Sequence, residues 1–168
     1  MGKPHIDVYE RFKKRFYELT ESAGKKQFLV PYLMSSHPGS TVNDAIELSL
    51  FLKKEGLHPE QVQDFYPTPG TISTCMFYTG LNPMNMQKVY VPRTPEEKAQ
   101  QRALLQYYKP ENRQIVMSAL KKAGRTDLIG YGKNCLITPD RTTQNANGAN
   151  RPAKKKKTIR NIHKPKRK

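Results

Sequence analysis

Three observations predict an α/β fold with one βαβ unit, a helical region after it and a disordered basic tail. Two short apolar segments, Gln27–Met34 and Gln61–Tyr66, flank a stretch of helical periodicity, which is the order of a strand, a crossover helix and a parallel strand. Signals for the start and the end of helices then recur between Thr94 and Gly124. From Asp140 onward the chain loses most of its apolar residues, so we expect that stretch to be disordered.

The first element is a helix predicted over Ile6–Ala23. Apolar residues recur at helical spacing through it, Asp7 and Glu10 have the spacing of a capping box, and Gly24 suits the position just after a helix. Lys13–Arg15 fall on or beside the opposite face. They are typical of a solvated helix surface, and a stripe that contacts nucleic acid is the alternative.

The βαβ unit comes next. The run QFLVPYLM at Gln27–Met34 is typical of a strand that is buried on both faces, although Pro31 cannot donate to a ladder. Thr41 and Asp44 have the spacing of a capping box at the start of the crossover helix. A parallel pair of strands leaves two open edges and needs neighbours, which indicates that this chain is part of a larger assembly.

The helical region contains two well-marked helices and a shorter one. Thr71–Tyr78 is predicted to be short, and Thr94 and Glu97 then form a capping box for a helix that ends near Tyr107. A further helix is predicted from Pro110 to Gly124. Two short packing segments follow it, at Leu128–Gly130 and Cys135–Ile137.

The net charge of +16 is concentrated at one end of the chain. Of the 30 Lys and Arg residues, ten lie in residues 151–168, which contain no acidic residue. Such a tail attracts polyanions through counterion release, or acts simply as a solubilising end. Because no aromatic residues are interleaved with the basic ones, we expect any nucleic-acid binding by the tail to be non-specific.

Several classes of protein are excluded or disfavoured. No apolar run approaches the roughly 20 residues of a membrane span, so we expect no transmembrane segment and no membrane partner. The chain does not open with a basic segment followed by an apolar one, which argues against a standard secretion signal. The two cysteines, Cys75 and Cys135, cannot build a disulfide scaffold and fit a cytoplasmic location.

Few residues have a spacing that predicts chemistry. The four histidines and two cysteines show no close pairs of the kind found at zinc sites, so no metal ligand is predicted. Cys75, in apolar surroundings, is typical of a packed thiol rather than a nucleophile. Polar residues do follow both predicted strands, at Ser35–Gly39 and Asp64–Thr68. Ligands bind at the carboxyl ends of parallel strands, although ordinary turns have the same composition.

Four long strings carry a resemblance to a known family. In chain order they are KKQFLVPYLMSSHPGST, PEQVQDFYPTPGTISTCMFYTGLNP, TPEEKAQQRALLQYYKPENR and GRTDLIGYG. Through them, residues 3–137 closely resemble the C-terminal half of the YgiQ-type radical SAM family. The resemblance implies a partial (β/α) barrel that holds a [4Fe–4S] cluster through a Cys-x3-Cys-x2-Cys motif. Members of such families cleave S-adenosylmethionine to a 5′-deoxyadenosyl radical, which abstracts hydrogen from a substrate.

The sequence departs from this family in one decisive respect, because the three-cysteine motif is absent. We therefore expect a segment of a longer radical SAM enzyme that is inactive alone and binds no cofactor by itself. The expected partner is the N-terminal radical SAM half of the same polypeptide, and the substrate is unknown. The expected domains are the end of the barrel at residues 1–80, a mainly helical family-specific domain at 81–138 and the tail at 139–168.

Site residues follow from the resemblance alone. The His37-Pro38-Gly39 turn matches the Pro-Gly segment after the fifth strand of radical SAM barrels, and Asp64–Pro67 would end the sixth strand. No catalytic residue is assigned. The residues expected beside S-adenosylmethionine in the intact enzyme are Ser36, Pro38, Gly39, Phe65 and Tyr66.

Two other functions remain open at this point. One is a basic nucleic-acid- or ribosome-associated module that binds through its tail. The other is a docking domain, formed by residues 94–130, for a partner or for the barrel of the same polypeptide.

Overall fold

Five α-helices and one parallel pair of strands make up residues 4–139, the part of the chain that the computed structural model describes. The predicted disordered tail lies outside the described residues, apart from Pro139. Short 3-10 turns at Pro110–Asn112 and Thr126–Leu128 complete the structure. In chain order the elements are α1 Ile6–Ser22, β1 Met34–Ser35, α2 Val42–Lys54, β2 Gln63–Asp64, α3 Ile72–Thr79, α4 Pro95–Leu105 and α5 Arg113–Lys122.

The strand pair confirms the predicted parallel arrangement, but both strands are shorter than the sequence indicates. Met34 pairs with Gln63 and Ser35 pairs with Asp64. The first strand is predicted to include residues 27–33, but these lie outside the two paired residues, and of their backbone groups only the Leu33 carbonyl reaches the neighbouring strand, where it accepts from the Gln63 N–H at 3.2 Å. Pro31 has no N–H to donate, and the described residues supply one neighbouring strand of only two residues. The α/β prediction therefore holds as a helix-dominated fold with a small parallel sheet.

Capping explains where the helices begin. Thr41 accepts a hydrogen bond from the Asp44 backbone N–H at 3.2 Å, and the Asp44 carboxylate accepts one from the Thr41 N–H at 2.7 Å. Thr94 and Glu97 form the second predicted capping box at the start of α4. The capping box predicted for α1 is wrong, because α1 begins one residue after His5 and no side chain caps it.

The core lies where α2, α4 and α5 pack together. Each of these helices buries several apolar residues in the core, and the side chain of Ser49 joins α2 to α4 by donating to the Leu104 carbonyl at 2.8 Å. The two predicted packing segments are confirmed: the Leu136 N–H donates to the Leu128 carbonyl at 2.8 Å, and both side chains enter the core. The most buried core residues are Ile46, Leu104, Val116, Ala119 and Leu120.

Helix α1 behaves differently, because its apolar residues remain largely exposed. Phe12 is 54% exposed and Leu19 is 50% exposed, although both belong to the periodic apolar set that predicted this helix. The ammonium group of Lys13 forms an ion pair with Glu55 at the end of α2. This pair is the main polar contact that ties α1 to the core among the described residues.

No helix within residues 4–139 combines the length and the apolar character that crossing a bilayer requires.

Candidate functional site

The turn that follows β1 is largely buried and is held by hydrogen bonds to other parts of the chain. Ser36, His37 and Pro38 are buried, and Ser36 has a φ of +60°. A left-handed conformation costs a non-glycine residue about 1–2 kcal/mol, so surrounding contacts must hold it. Gly39, with a φ of +90°, donates its N–H to the Tyr90 carbonyl at 2.7 Å. The chain thereby reverses direction before α2 begins.

His37 joins this turn to α3. Its Nδ1 lies 2.7 Å from the Pro38 carbonyl oxygen and its Nε2 lies 2.9 Å from the Ser73 hydroxyl. Since a carbonyl can only accept, Nδ1 carries the proton and Nε2 accepts from Ser73 in this geometry. Burial lowers the pKa of the imidazole below its ordinary value, although the Pro38 carbonyl acts in the opposite direction. His37 is therefore neutral near pH 7.

The end of β2 contributes a second set of polar and aromatic groups. Asp64 accepts a hydrogen bond from the Ser35 hydroxyl at 2.5 Å and forms an ion pair with Arg102 of α4. The ring of Phe65 lies edge-on to the His37 ring, with 5.1 Å between centroids. Tyr66 is 81% exposed. The carboxylate of Asp64 is thus bound by two side chains of this chain, whereas the Tyr66 ring does not pack in the core.

A glutamine of α4 holds the turn from the other side. Gln101 is only 1% exposed, and its Oε1 accepts from the Ser36 N–H at 2.9 Å and from the Ser40 hydroxyl at 3.2 Å. Its Nε2 donates to the Ser40 carbonyl at 2.8 Å. Gln101 could not be recognised from the sequence, because it lies more than 60 positions from the turn and belongs to no motif. A polar residue on the buried face of α4 was the one available signal.

A cavity of about 550 Å³ opens beside this turn. Depressions of about 570 and 520 Å³ occur elsewhere on the described residues, so the position of this one at the end of β1, and not its volume, distinguishes it. Of the five residues expected beside a cofactor, Pro38 and Gly39 line the cavity, while Ser36, Phe65 and Tyr66 do not. The contact of Phe65 with His37 nevertheless brings the two strand ends together. The cavity is lined by Met34, Ser35, His37, Pro38, Gly39, Ser40, Asp44, Ala45, Leu48, Gln101 and Leu105.

The side chains of the described residues do not fit an iron–sulfur cluster. Residues 4–139 contain no group of three or more His, Cys, Asp or Glu side chains that could hold a metal ion. The chain has two cysteines, of which Cys75 is exposed and Cys135 half-buried. A [4Fe–4S] cluster requires about four ligands, normally thiolates.

Comparison with known proteins gives a family and a set of relatives. The family described as "Domain of unknown function (DUF3362)" matches residues 60–167. A UPF0313 protein of Clostridium perfringens strain 13 is 61% identical over 137 residues, which is 82% of this chain and 21% of the relative. A UPF0313 protein of Clostridium botulinum strain 657 is 58% identical over the same shares. The chain thus spans about a fifth of the length of these relatives. No solved structure matches it.

Proposed function

From the resemblance of residues 3–137 to YgiQ-type radical SAM proteins, we propose that this chain, which belongs to the DUF3362 family, is the C-terminal segment of a longer radical SAM iron–sulfur enzyme. Its similarity to UPF0313 proteins, of which it spans 21%, supports the view that most of the enzyme lies in polypeptide outside this sequence. When bound, the cluster would supply the electron that cleaves S-adenosylmethionine. We place the reaction in the cytoplasm and assign no substrate.

The observation that carries this proposal is the pattern of exposure along residues 28–33. Phe28, Val30 and Tyr32 are 69%, 87% and 73% exposed, whereas the residues between them are half-buried. Exposure therefore alternates with the period of two that an extended strand produces. Apolar residues on both faces are typical of strands in parallel sheets, which are buried on both sides. This segment has the composition of an interior strand, but within residues 4–139 the strand pairing is confined to Met34 and Ser35, which follow it.

The proposed partner is the N-terminal radical SAM half of the same polypeptide. A strand from that half would pair along the open edge of residues 27–35, and its apolar side chains would cover Phe28, Val30 and Tyr32. The exposed apolar residues of α1 lie next to this segment in the chain and would be covered by the same half. The strand pair seen here then becomes the end of a partial (β/α) barrel.

The cofactor site follows from the position of the turn. In a barrel, the carboxyl ends of the strands form the face that binds ligands. Pro38 and Gly39 line the cavity at that end of β1, and we place them with Ser36, Phe65 and Tyr66 beside S-adenosylmethionine in the intact enzyme. Asp64 has no place in this set, because its carboxylate is already bound by Ser35 and Arg102.

The size of the native polypeptide tests this proposal. An antibody raised against residues 4–139 is applied to an extract of the source organism. We expect a band several times heavier than the 19.3 kDa of this chain. The protein in that band, isolated without oxygen and reduced, should release 5′-deoxyadenosine from S-adenosylmethionine. A single band at 19.3 kDa would contradict the proposal and favour a binding module that acts through the basic tail.

A further inference from the structure

We infer that Gln101 is a positioning residue for the Ser36–Ser40 turn. Through it, helix α4 determines the geometry of the site at the carboxyl end of β1. This assigns a role to a helix of the DUF3362 region, for which the family description gives none. The inference about the turn stands on the contacts of this chain. Its consequence for S-adenosylmethionine rests on the proposed function.

Both polar atoms of the Gln101 amide take part in this contact. Its oxygen accepts one hydrogen bond from the backbone of Ser36 and one from the hydroxyl of Ser40, and its nitrogen donates to the Ser40 carbonyl. A single side chain therefore binds the first and the last residue of the turn. Burying an amide is unfavourable unless its hydrogen bonds are made, so these three bonds are what stabilise a glutamine at this position.

The turn needs such support because its own conformation is unfavourable. Ser36 adopts a left-handed φ of +60°. Its hydroxyl is the one buried side-chain polar atom among the described residues that has no hydrogen-bond partner. Within the turn, the Ser40 N–H donates to the His37 carbonyl at 2.9 Å. Bonds from outside the turn, above all those of Gln101, hold it in the observed shape.

The same helix also forms a wall of the adjoining cavity. Gln101 and Leu105, one helical turn apart on α4, line it together with Pro38 and Gly39. A change at Gln101 would therefore displace the residues that we place beside the cofactor. Arg102, next along α4, binds Asp64 at the end of the second strand. Helix α4 thus contacts both strand ends.

The test compares two neighbouring glutamines of α4 in the complete 168-residue chain. Gln101→Met keeps the length of the side chain and removes its hydrogen bonds. Gln100→Met is the matched control, because Gln100 is also buried but binds Glu96 rather than the turn. Amide hydrogen exchange is followed at Ser36 in the turn and at Val116 in the core.

In Gln101→Met we expect exchange at Ser36 to become at least about tenfold faster while exchange at Val116 stays unchanged. The Gln100→Met variant should keep the rate of the wild-type protein at Ser36. Equal acceleration at both amides would mean that Gln101 supports the fold in general. That result, or an unchanged rate at Ser36, would overturn the inference.

Rescue by a conservative variant provides a second readout. Gln101→Glu, in the neutral form that burial favours, retains an acceptor and a donor, so it should restore slow exchange at Ser36. If Gln101→Met does not fold, exchange at Ser36 is compared between Gln101→Glu and the wild-type protein instead. The comparison is made at one pH below and one pH above the titration of the new carboxyl group. Failure of Gln101→Glu to slow the exchange in its neutral form would contradict the inference.

Binding of S-adenosylmethionine to the intact polypeptide, measured by equilibrium dialysis, separates this inference from the proposed function. Gln101→Met should weaken binding at least about tenfold and Gln100→Met should not. If the wild-type polypeptide binds no S-adenosylmethionine but exchange at Ser36 responds to Gln101, the proposed function fails and the positioning role stands. If binding occurs and both methionine variants bind equally well, the positioning role fails.

Discussion

The helices α2, α4 and α5 build the buried core of the molecule, whereas α1 and residues 27–33 leave many of their apolar residues in contact with solvent. Both regions have sequences with strong apolar periodicity. Leu104 of α4 is fully buried, while Val30 of the N-terminal region is 87% exposed. The difference lies in the available partners, since α4 packs on α2 and α5 and the extended segment has one two-residue strand beside it. Periodicity thus identifies a surface to be buried without identifying what buries it.

The largest contrast is expected from truncating one apolar side chain in each region. Leu104→Ala should lower the free energy of unfolding by about 2–5 kcal/mol, because it leaves a cavity in a closely packed core. Val30→Ala should change it by less than about 0.5 kcal/mol, because this side chain is already in water. Urea denaturation followed by circular dichroism measures both. Equal effects would show that residues 27–33 are buried in the isolated chain.

A matched pair of glycines tests the same contrast in the backbone. Gly24 and Gly124 follow α1 and α5 with φ values of +61° and +70°, and a Cβ at either position would meet no atom within 4 Å. At either position, alanine should therefore cost about 1–2 kcal/mol of conformational strain without a steric clash. Gly124→Ala should lower the free energy of unfolding by this amount.

Gly24→Ala should instead loosen the end of α1 and leave the main unfolding transition in place, because α1 has few contacts with the core. Helix loss is read from circular dichroism before the transition. A full shift of the transition in both variants would mean that α1 unfolds together with the core.

The buried imidazole predicts a pH dependence that is specific to the turn. Because the pKa of His37 is lower in the folded protein than its ordinary value of 6.5, the unfolded state binds the proton more readily. Stability is therefore lost as the pH falls below about 6.5. His37→Gln should show a smaller loss between pH 7.5 and pH 5.5 in urea denaturation. The same substitution at the exposed His58 is the matched control. Equal losses in wild-type protein and His37→Gln would contradict this account.

The smallest effect is expected at the ion pair between α1 and the core. Glu55 raises the pKa of Lys13 by accepting its hydrogen bond. Lys13→Met should speed amide exchange in α1 without moving the main unfolding transition, and high salt should reproduce part of that effect in the wild-type protein. Lys14→Met is the control, since the described residues provide no ion-pair partner for Lys14. An effect of equal size at Lys14 would show that Lys13 acts through general charge alone.

Local chemistry allowed much of the fold to be predicted. The Thr94–Glu97 capping box and the glycine after α5 depend on residues within one helical turn of each other, so their spacing is visible in the sequence. The capping box at Asp7 and Glu10 was wrong because the same spacing occurs inside a helix that begins earlier. Spacing alone does not identify which residue lies outside the helix.

The site could be predicted only in part, because its geometry depends on residues far apart in the chain. The polar turn at Ser35–Gly39 and the residues after β2 were recognisable as strand ends. Gln101 was not, since its partners lie 61 and 65 residues away. The extent of the first strand was also overestimated. The composition of residues 27–33 suits the interior of a sheet, whereas pairing requires neighbouring strands, and residues 4–139 contain none alongside this segment.

The most direct test of the account is amide hydrogen exchange along residues 28–33, compared between this chain and the longer polypeptide of the source organism. Because successive N–H groups of a strand point to opposite edges, pairing along the open edge of β1 should protect every second amide of this segment in the longer polypeptide by at least about a hundredfold, while all of its amides exchange rapidly in this chain. The amide of Val116 in the shared core serves as the internal reference. Equally rapid exchange of residues 28–33 in both proteins would contradict the claim that this segment is an interior strand of a barrel.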